Sequence, residues 1–262
     1  MTPFYAEDLA HIHHTGFGAF AREAAPGLLA MLRRSGVTQG LVVDLGCGTG
    51  LWAQSLVEAG YEVLGVDCAP AMLRLARETA PAARYVLSSL YDVEIPPCGA
   101  VTAIGEGLTY IGAQDPQEAL PGLFSRVHQA LSPGGVLIFD AILRSSGEPM
   151  RYRSSREGSD WRVEAEVVEE PDQCLLTRQI TTIRSIDGID RRSEEEHSVR
   201  TFPSGQLEQM LLSSGFRFEA HQCYGAMPLL PQRVAFLAYK DLRPDMQRRS
   251  PSLPSDSRGA RG

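Results

Sequence analysis

The chain has 262 residues, 43% of them hydrophobic and 22% charged. That is an ordinary soluble composition, in a chain long enough to bury about 70–75% of its unfolded surface. The net charge of −7 argues against nucleic acid or an anionic membrane as partner. The five cysteines, Cys47, Cys68, Cys98, Cys174 and Cys223, are scattered without a CxxC. They predict free thiols in a reducing cytoplasm, with neither a disulfide framework nor a metal site. No basic, then apolar, leader is seen, and no stretch approaches the length of a membrane span.

In chain order, residues 1–38 read as an N-terminal helical cap, with helices over 17–23 and 28–34. His11, His13 and His14 within it lack the i, i+4 spacing of a helical metal pair. They read as solvated, while Tyr5 and His13 are kept as substrate-side candidates. Residues 41–45 form an apolar strand. A turn with Gly46, Gly48 and Gly50 follows, then a helix over 51–59 closed by Gly60. The N-terminus of that helix offers free N–H groups to an anionic group. A second strand over 61–66 ends at Asp67. Roughly twenty residues separate Asp67 from the first glycine, the spacing at which an α/β nucleotide site places its ribose-binding carboxylate. Pro70 opens the next helix.

A third strand covers 84–87 and leads into Ser88-Ser89-Leu90. The fourth, over 100–104, runs into Gly105-Glu106-Gly107. Ligands of such sheets bind outside the carboxyl ends of the strands. Glu106 is therefore a candidate to orient or deprotonate a substrate, against the alternative of a solvated loop acid. A helix over 116–131 precedes strand five at 136–140. Residues 143–202 read as an antiparallel meander of three strands, at 161–167, 173–184 and 191–201. Alternation places Glu195 and His197 on one face and Glu194 and Glu196 on the other. A His beside a carboxylate can serve as a general base, so His197 is the second catalytic candidate, against a solvated edge strand. A helix over 204–214 and a closing pair at 218–224 and 233–239 complete the domain. The tail at 243–262 is expected to be disordered.

Asp44-x-Gly46-x-Gly48-x-Gly50 resembles the first motif of the class I S-adenosylmethionine-dependent methyltransferases. Val63-Leu64-Gly65-Val66-Asp67-Cys68-Ala69-Pro70-Ala71-Met72-Leu73 resembles their second. Leu131-Ser132-Pro133-Gly134-Gly135 resembles the element that leads into their fifth strand. The resemblance covers about residues 40–142. It implies an α/β fold, a doubly wound, Rossmann-like seven-stranded sheet, mostly parallel with an antiparallel last strand, plus a small antiparallel β insert. The implied division is a cap (1–38), a core (39–142), the insert as lid or dimer surface (143–202), the last helix and strand pair (203–242), and the tail.

The resemblance also implies S-adenosylmethionine as cofactor and methyl transfer to an oxygen or nitrogen of a small molecule. Asp67 would hold the ribose hydroxyls, Gly46, Gly48 and Gly50 the methionine part, and Asp44 its amino end. Cys47, Cys68, Ser89, Leu90 and Gly105 would line the rest. Ser89 stands where many members carry an acid toward adenine, and its hydroxyl or nearby backbone would accept that bond instead. The implied partners are a small acceptor and a second copy of the chain through the insert, without nucleic acid or membrane. The alternatives are an NAD(P)-dependent oxidoreductase and a binder of S-adenosylmethionine without catalysis.

Overall fold

The computed structural model describes residues 4–241 of the chain; the tail expected at 243–262 lies outside the described residues. The N-terminal part is helical: α1 (Glu7–Ile12), one π-helical turn (His13–Phe17) and α2 (Ala19–Arg34). The two helices expected over 17–23 and 28–34 are thus largely one. A proline inside a helix costs about 3 kcal/mol, yet α2 runs through Pro26. It buries Leu28, Met31 and Leu32 in the core, each worth about 1.5–3 kcal/mol, which outweighs the lost hydrogen bond. The docking is close. A Cβ added at Gly27 would lie 2.3 Å from the Tyr224 backbone.

Next come β1 (Leu41–Leu45), α3 (Leu51–Glu58), β2 (Glu62–Asp67), α4 (Pro70–Thr79), β3 (Arg84–Leu87), β4 (Cys98–Ala103), α5 (Pro116–Ala130) and β5 (Leu131–Ile142). The second sheet holds β6 (Met150–Glu157), β7 (Trp161–Glu170), β8 (Leu175–Ile186) and β9 (Ile189–Arg200). The chain closes with α6 (Gln206–Ser213), β10 (Arg217–His221), the short β11 (Cys223–Tyr224) and β12 (Met227–Pro228), and β13 (Arg233–Tyr239). The main sheet runs β10-β13-β5-β4-β1-β2-β3. All its pairings are parallel except the two made by β13, which is antiparallel to both β5 and β10.

The sheet is covered on both faces, so successive residues of its strands are buried on opposite sides. Val42, Ile138 and Leu237 pack with Leu28, Trp52 and Leu56 of α2 and α3. Val43, Phe139 and Phe236 pack with Leu120 and Phe124 of α5 and Leu211 of α6. The expected strand over 218–224 ends at His221, and β11 then pairs with β12 instead.

The insert has four antiparallel strands rather than three. The extra one, β6, reads Met-Arg-Tyr-Arg-Ser-Ser-Arg-Glu and is exposed at every position. It carries no alternation of apolar residues because neither of its faces is buried. A cluster of Ile142, Val167, Leu176 and Val199 fastens the insert to the core. Backbone bonds from Ile111 N to Ser198 O (2.8 Å) and Phe202 N to Ile142 O (3.0 Å) join them as well.

The first helix bridges the two sheets. Leu9 and Ile12 of α1 pack on Trp161 and Val163 of β7. The Asp8 carboxylate accepts from Arg191 Nε at 2.6 Å and Arg184 Nη1 at 3.5 Å. On the other flank Glu7 pairs with Arg74 of α4 at 2.7 Å. Cap and insert thus stand over the carboxyl ends of the parallel strands. Among the described residues no helix is long and apolar enough to cross a membrane.

Candidate active site

The site begins where β1 ends. Gly46, Gly48 and Gly50 have φ of +72°, +54° and +77°, a region that side chains with a Cβ enter at a cost. The N–H groups of Gly46 and Cys47 donate to Val66 O at 2.7 and 3.0 Å, which fixes the turn to β2. A Cβ added at Gly48 would meet nothing within 4 Å, whereas one at Gly50 would meet Ala76 Cα at 3.0 Å. Gly48 faces open space, and Gly50 lets α3 approach α4.

Asp67 closes this end. Its Oδ2 accepts from Gly48 N at 2.8 Å and its Oδ1 from Ala69 N at 2.9 Å. Each oxygen keeps acceptor capacity for a ligand hydroxyl. Burial raises the Asp67 pKa, against the opposing hydrogen bonds from the Ala69, Gly48 and Cys68 backbone. Asp44 is buried behind the turn. Its Oδ1 accepts from the Thr102 hydroxyl at 2.8 Å, which in turn accepts from Trp52 Nε1 at 3.1 Å. Burial pushes the Asp44 carboxyl up to about 7.

A cavity of about 950 Å³ extends from this turn to the insert, a size at the upper end of small-molecule sites. Of the expected cofactor residues, Asp44, Gly46, Cys47, Gly48, Asp67, Cys68, Ser89, Leu90 and Gly105 all line it. Gly50 does not; it packs on Ala76 and Tyr85. The Ser89 hydroxyl already accepts from Tyr91 N at 3.2 Å.

Beside the turn, the chain after β4 is buckled. Gly105 and Glu106 both have positive φ, +84° and +68°. Asp140, at the end of β5, holds them there. It accepts from Gly105 N (2.7 Å), Glu106 N (3.2 Å) and the Tyr224 hydroxyl (3.0 Å). Burial pushes Asp140 up to about 6. Glu106 is not a solvated loop acid. It is 5% exposed, and its carboxylate accepts from Arg178 Nη2 at 2.8 Å and from Arg233 Nη2. Both its oxygens are engaged by guanidinium groups, so it stands as their charge partner.

His197 is buried beside Glu195, as their shared face requires, with Nε2 2.9 Å from Glu195 Oε2; the solvated edge reading of this strand is overturned here. An ionised carboxylate only accepts hydrogen bonds. A neutral His197 ring therefore carries its proton on Nε2 and leaves Nδ1 bare. Nδ1 is buried without a partner among the described residues. Glu195 also accepts from Tyr5 N (2.8 Å) and Ala6 N (3.0 Å), which ties the N-terminal strap down. Phe4, Tyr5 and Tyr110 surround the His197 ring at centroid distances of 5.2, 4.9 and 5.7 Å. The Tyr5 and Tyr110 hydroxyls lie 2.9 Å apart.

His13 departs from the solvated reading. It packs edge-on against Tyr5 at 5.2 Å, lines the cavity, and burial lowers its pKa to about 4. Asp140, Arg178 and Arg233 escaped the sequence reading. Each sits within a strand as one polar residue among others, and nothing local marks it.

A family model of the methyltransferase domain matches residues 42–135. The Bacillus subtilis (strain 168) protein YqeM, which carries a methyltransferase name, is 27% identical over 188 residues, 68% of this chain and 74% of its own length. Trans-aconitate 2-methyltransferase of Paracidovorax citrulli is 36% identical over 120 residues, 44% of this chain and 43% of that protein. Among solved structures, an S-adenosylmethionine-dependent methyltransferase from Clostridium acetobutylicum superposes with a TM-score of 0.75 at 19% identity, over 88% of this chain and 97% of that one. An amino pentose methyltransferase of Micromonospora echinaspora, bound to S-adenosylmethionine, gives 0.72 at 17% identity over 92% and 99%. At those identities the likeness is one of fold. None of these matches supports a nicotinamide-dependent oxidoreductase.

Proposed function

Since this chain belongs to the class I S-adenosylmethionine-dependent methyltransferases, we propose that it methylates an oxygen or nitrogen of a small molecule bound beneath the cap and insert. The observation that carries this reading is that one cavity is lined both by Gly48 and Asp67 and by Tyr5, Tyr110 and His197. The residues present fit S-adenosylmethionine. Open space lies before Gly48, and Asp67 keeps lone pairs for two ribose hydroxyls. Bound there, S-adenosylmethionine supplies a methyl group on a positive sulfur.

In this reading Asp67 holds the ribose, Gly46, Gly48 and Gly105 border the methionine part, and Asp44 faces its amino group. Cys47, Cys68, Ser89 and Leu90 line the remainder of the cofactor end. Cap and insert exclude water and hold the acceptor in line, which can contribute on the order of 7–11 kcal/mol. His197 Nδ1 takes the proton that leaves an acceptor hydroxyl or ammonium, and Glu195 stabilises the imidazolium that forms. Glu106 acts through the two arginines it holds.

One relative names a small acid, trans-aconitate 2-methyltransferase; another, malonyl-[acyl-carrier protein] O-methyltransferase of Serratia marcescens, 30% identical over 105 residues, names a malonyl group on a carrier protein. A reducing cytoplasm is the compartment this reading assigns, since all five cysteines are free. The exposed edge of β6 would pair with a second copy of the chain.

Isothermal titration with S-adenosylmethionine and S-adenosylhomocysteine tests the cofactor assignment. Wild type should bind with micromolar affinity. Asp67→Ala loses two hydrogen bonds to a charged acceptor, each worth about 1.5–3 kcal/mol, so its affinity should fall by at least about 100-fold. Equal binding by both proteins would remove Asp67 from the site.

A further inference from the structure

Two arginines of the cavity lining share one carboxylate. Arg178 and Arg233 are about one-fifth exposed, at 19% and 20%, and both converge on the single carboxylate of Glu106. Arg178 Nη1 reaches the Tyr110 hydroxyl at a long 3.4 Å. A guanidinium presents five N–H donors. Among the described residues no other hydrogen-bond partner is recorded for either arginine. Both side chains line the cavity, so their remaining donors are available to whatever enters it.

Two guanidinium groups with unused N–H donors, between apolar walls from Val167 and Ile180, favour an anionic guest. A buried charge without a counter-charge is costly, and a planar guanidinium matches a carboxylate in shape and donors. A cationic amine would be repelled by the same pair. We propose, on the premise of the methyl-transfer reading above, that the acceptor is a small carboxylic acid whose carboxylate seats on Arg178 and Arg233.

One other carboxylate could come here, that of the methionine part of the cofactor. Placement in the fold favours the acceptor. Arg178 lies directly across from His197 in the β8–β9 pairing and beside Tyr110, on the insert. The loop after β4 that carries Glu106 also borders the glycine turn, Gly107 lying close to Gly46, so the titrations with and without S-adenosylhomocysteine separate the two carboxylates.

The test uses the full chain loaded with S-adenosylhomocysteine, and repeats every titration without it. The probes are malonate, trans-aconitate and salicylate, each compared with its primary amide, by thermal shift and isothermal titration. At least one acid should bind, and its amide should bind at least about tenfold more weakly. Arg178→Gln should weaken acid binding by at least about tenfold, the loss of one charge-assisted contact. Glu106→Gln should strengthen it several-fold, because a competing anion is removed and the amide, with a single acceptor oxygen, frees the donors of one arginine for the guest. S-adenosylhomocysteine affinity should stay within about twofold in both variants. These opposite signs would not arise from a merely structural role, and Glu106→Gln serves even where Arg178→Gln folds poorly.

The proposal falls if no acid binds, if acids and amides bind alike, or if Glu106→Gln weakens acid binding. A change in S-adenosylhomocysteine affinity that follows the same pattern would assign the arginines to the cofactor, and would also overturn it. Absence of S-adenosylhomocysteine binding to wild type strikes the methyl-transfer reading itself. Acid binding to the unloaded chain then reports on the arginine pair separately.

Discussion

The two ends of the cavity are built in different ways. The cofactor end is local. Gly46, Gly48 and Asp67 come from two consecutive strands, and Asp67 accepts from Gly48 and Ala69. Much of that end is backbone, held by the adjacent pairing of β1 and β2. The acceptor end is assembled from afar. Glu195 binds Tyr5 across 190 residues of sequence, and Arg178 binds Glu106 across 72. Its key atoms are charged side chains, each dependent on another. A backbone turn tolerates change in surrounding side chains, whereas a network of paired charges fails when one member is removed.

The largest test of this separation is Glu195→Ala. It leaves Tyr5 N, Ala6 N and His197 without their acceptor, each costing about 1–3 kcal/mol when buried. The melting temperature should fall on the order of 10 °C, with affinity for S-adenosylhomocysteine within a few-fold of wild type. A matching collapse of that affinity would show that the two ends are not independent.

Nearly as large is a pH effect at the cofactor end. Asp44 sits at about 7 instead of 3.8. Between about pH 4 and 7 the folded chain therefore holds a proton that the unfolded chain has released, and the stability of the ligand-free protein falls as pH rises through that window. The shift corresponds to at most about 4 kcal/mol. Asp140, at about 6, and Asp67 act in the same direction. Thermal scans from pH 5 to 8 should show a falling melting temperature, and Asp44→Asn should flatten part of that slope. A melting temperature that rises over this range would mean that Asp44 is ionised in the folded state.

Gly50→Val should cost about 2–3 kcal/mol through its positive φ and the 3.0 Å approach to Ala76, as strain and overpacking do. It should lower the melting temperature by several degrees. An unchanged melting temperature would show that α3 can shift away from α4 freely. The smallest effect belongs to Arg74→Ala. Its pair with Glu7 is about half exposed, so the loss should stay below about 1 kcal/mol. A larger one would make the outer flank of α1 a true fastening of the cap.

Legibility in the sequence follows the same division. The strand, glycine turn, helix and Asp67 were readable because the spacing of consecutive residues dictates their geometry. Alternation correctly paired Glu195 with His197, since a strand's period of two needs no tertiary information. The strand β6 was invisible because its residues Met150 to Glu157 bury nothing. The role of Glu106 is not legible locally, because its two arginines lie on β8 and β13 and no local pattern joins them.

The sequence by itself determined the class of sheet, the turn, the ribose-side carboxylate and the shared face of Glu195 and His197, because backbone conformation and strand period are local physics. Only the tertiary structure decided that Asp140 buckles the loop after β4, that Tyr5 and the cap are tied to Glu195, and that Arg178 and Arg233 share one carboxylate. Those facts arise from burial, which brings charges together from distant segments and leaves each dependent on its neighbour for the solvation that water no longer supplies.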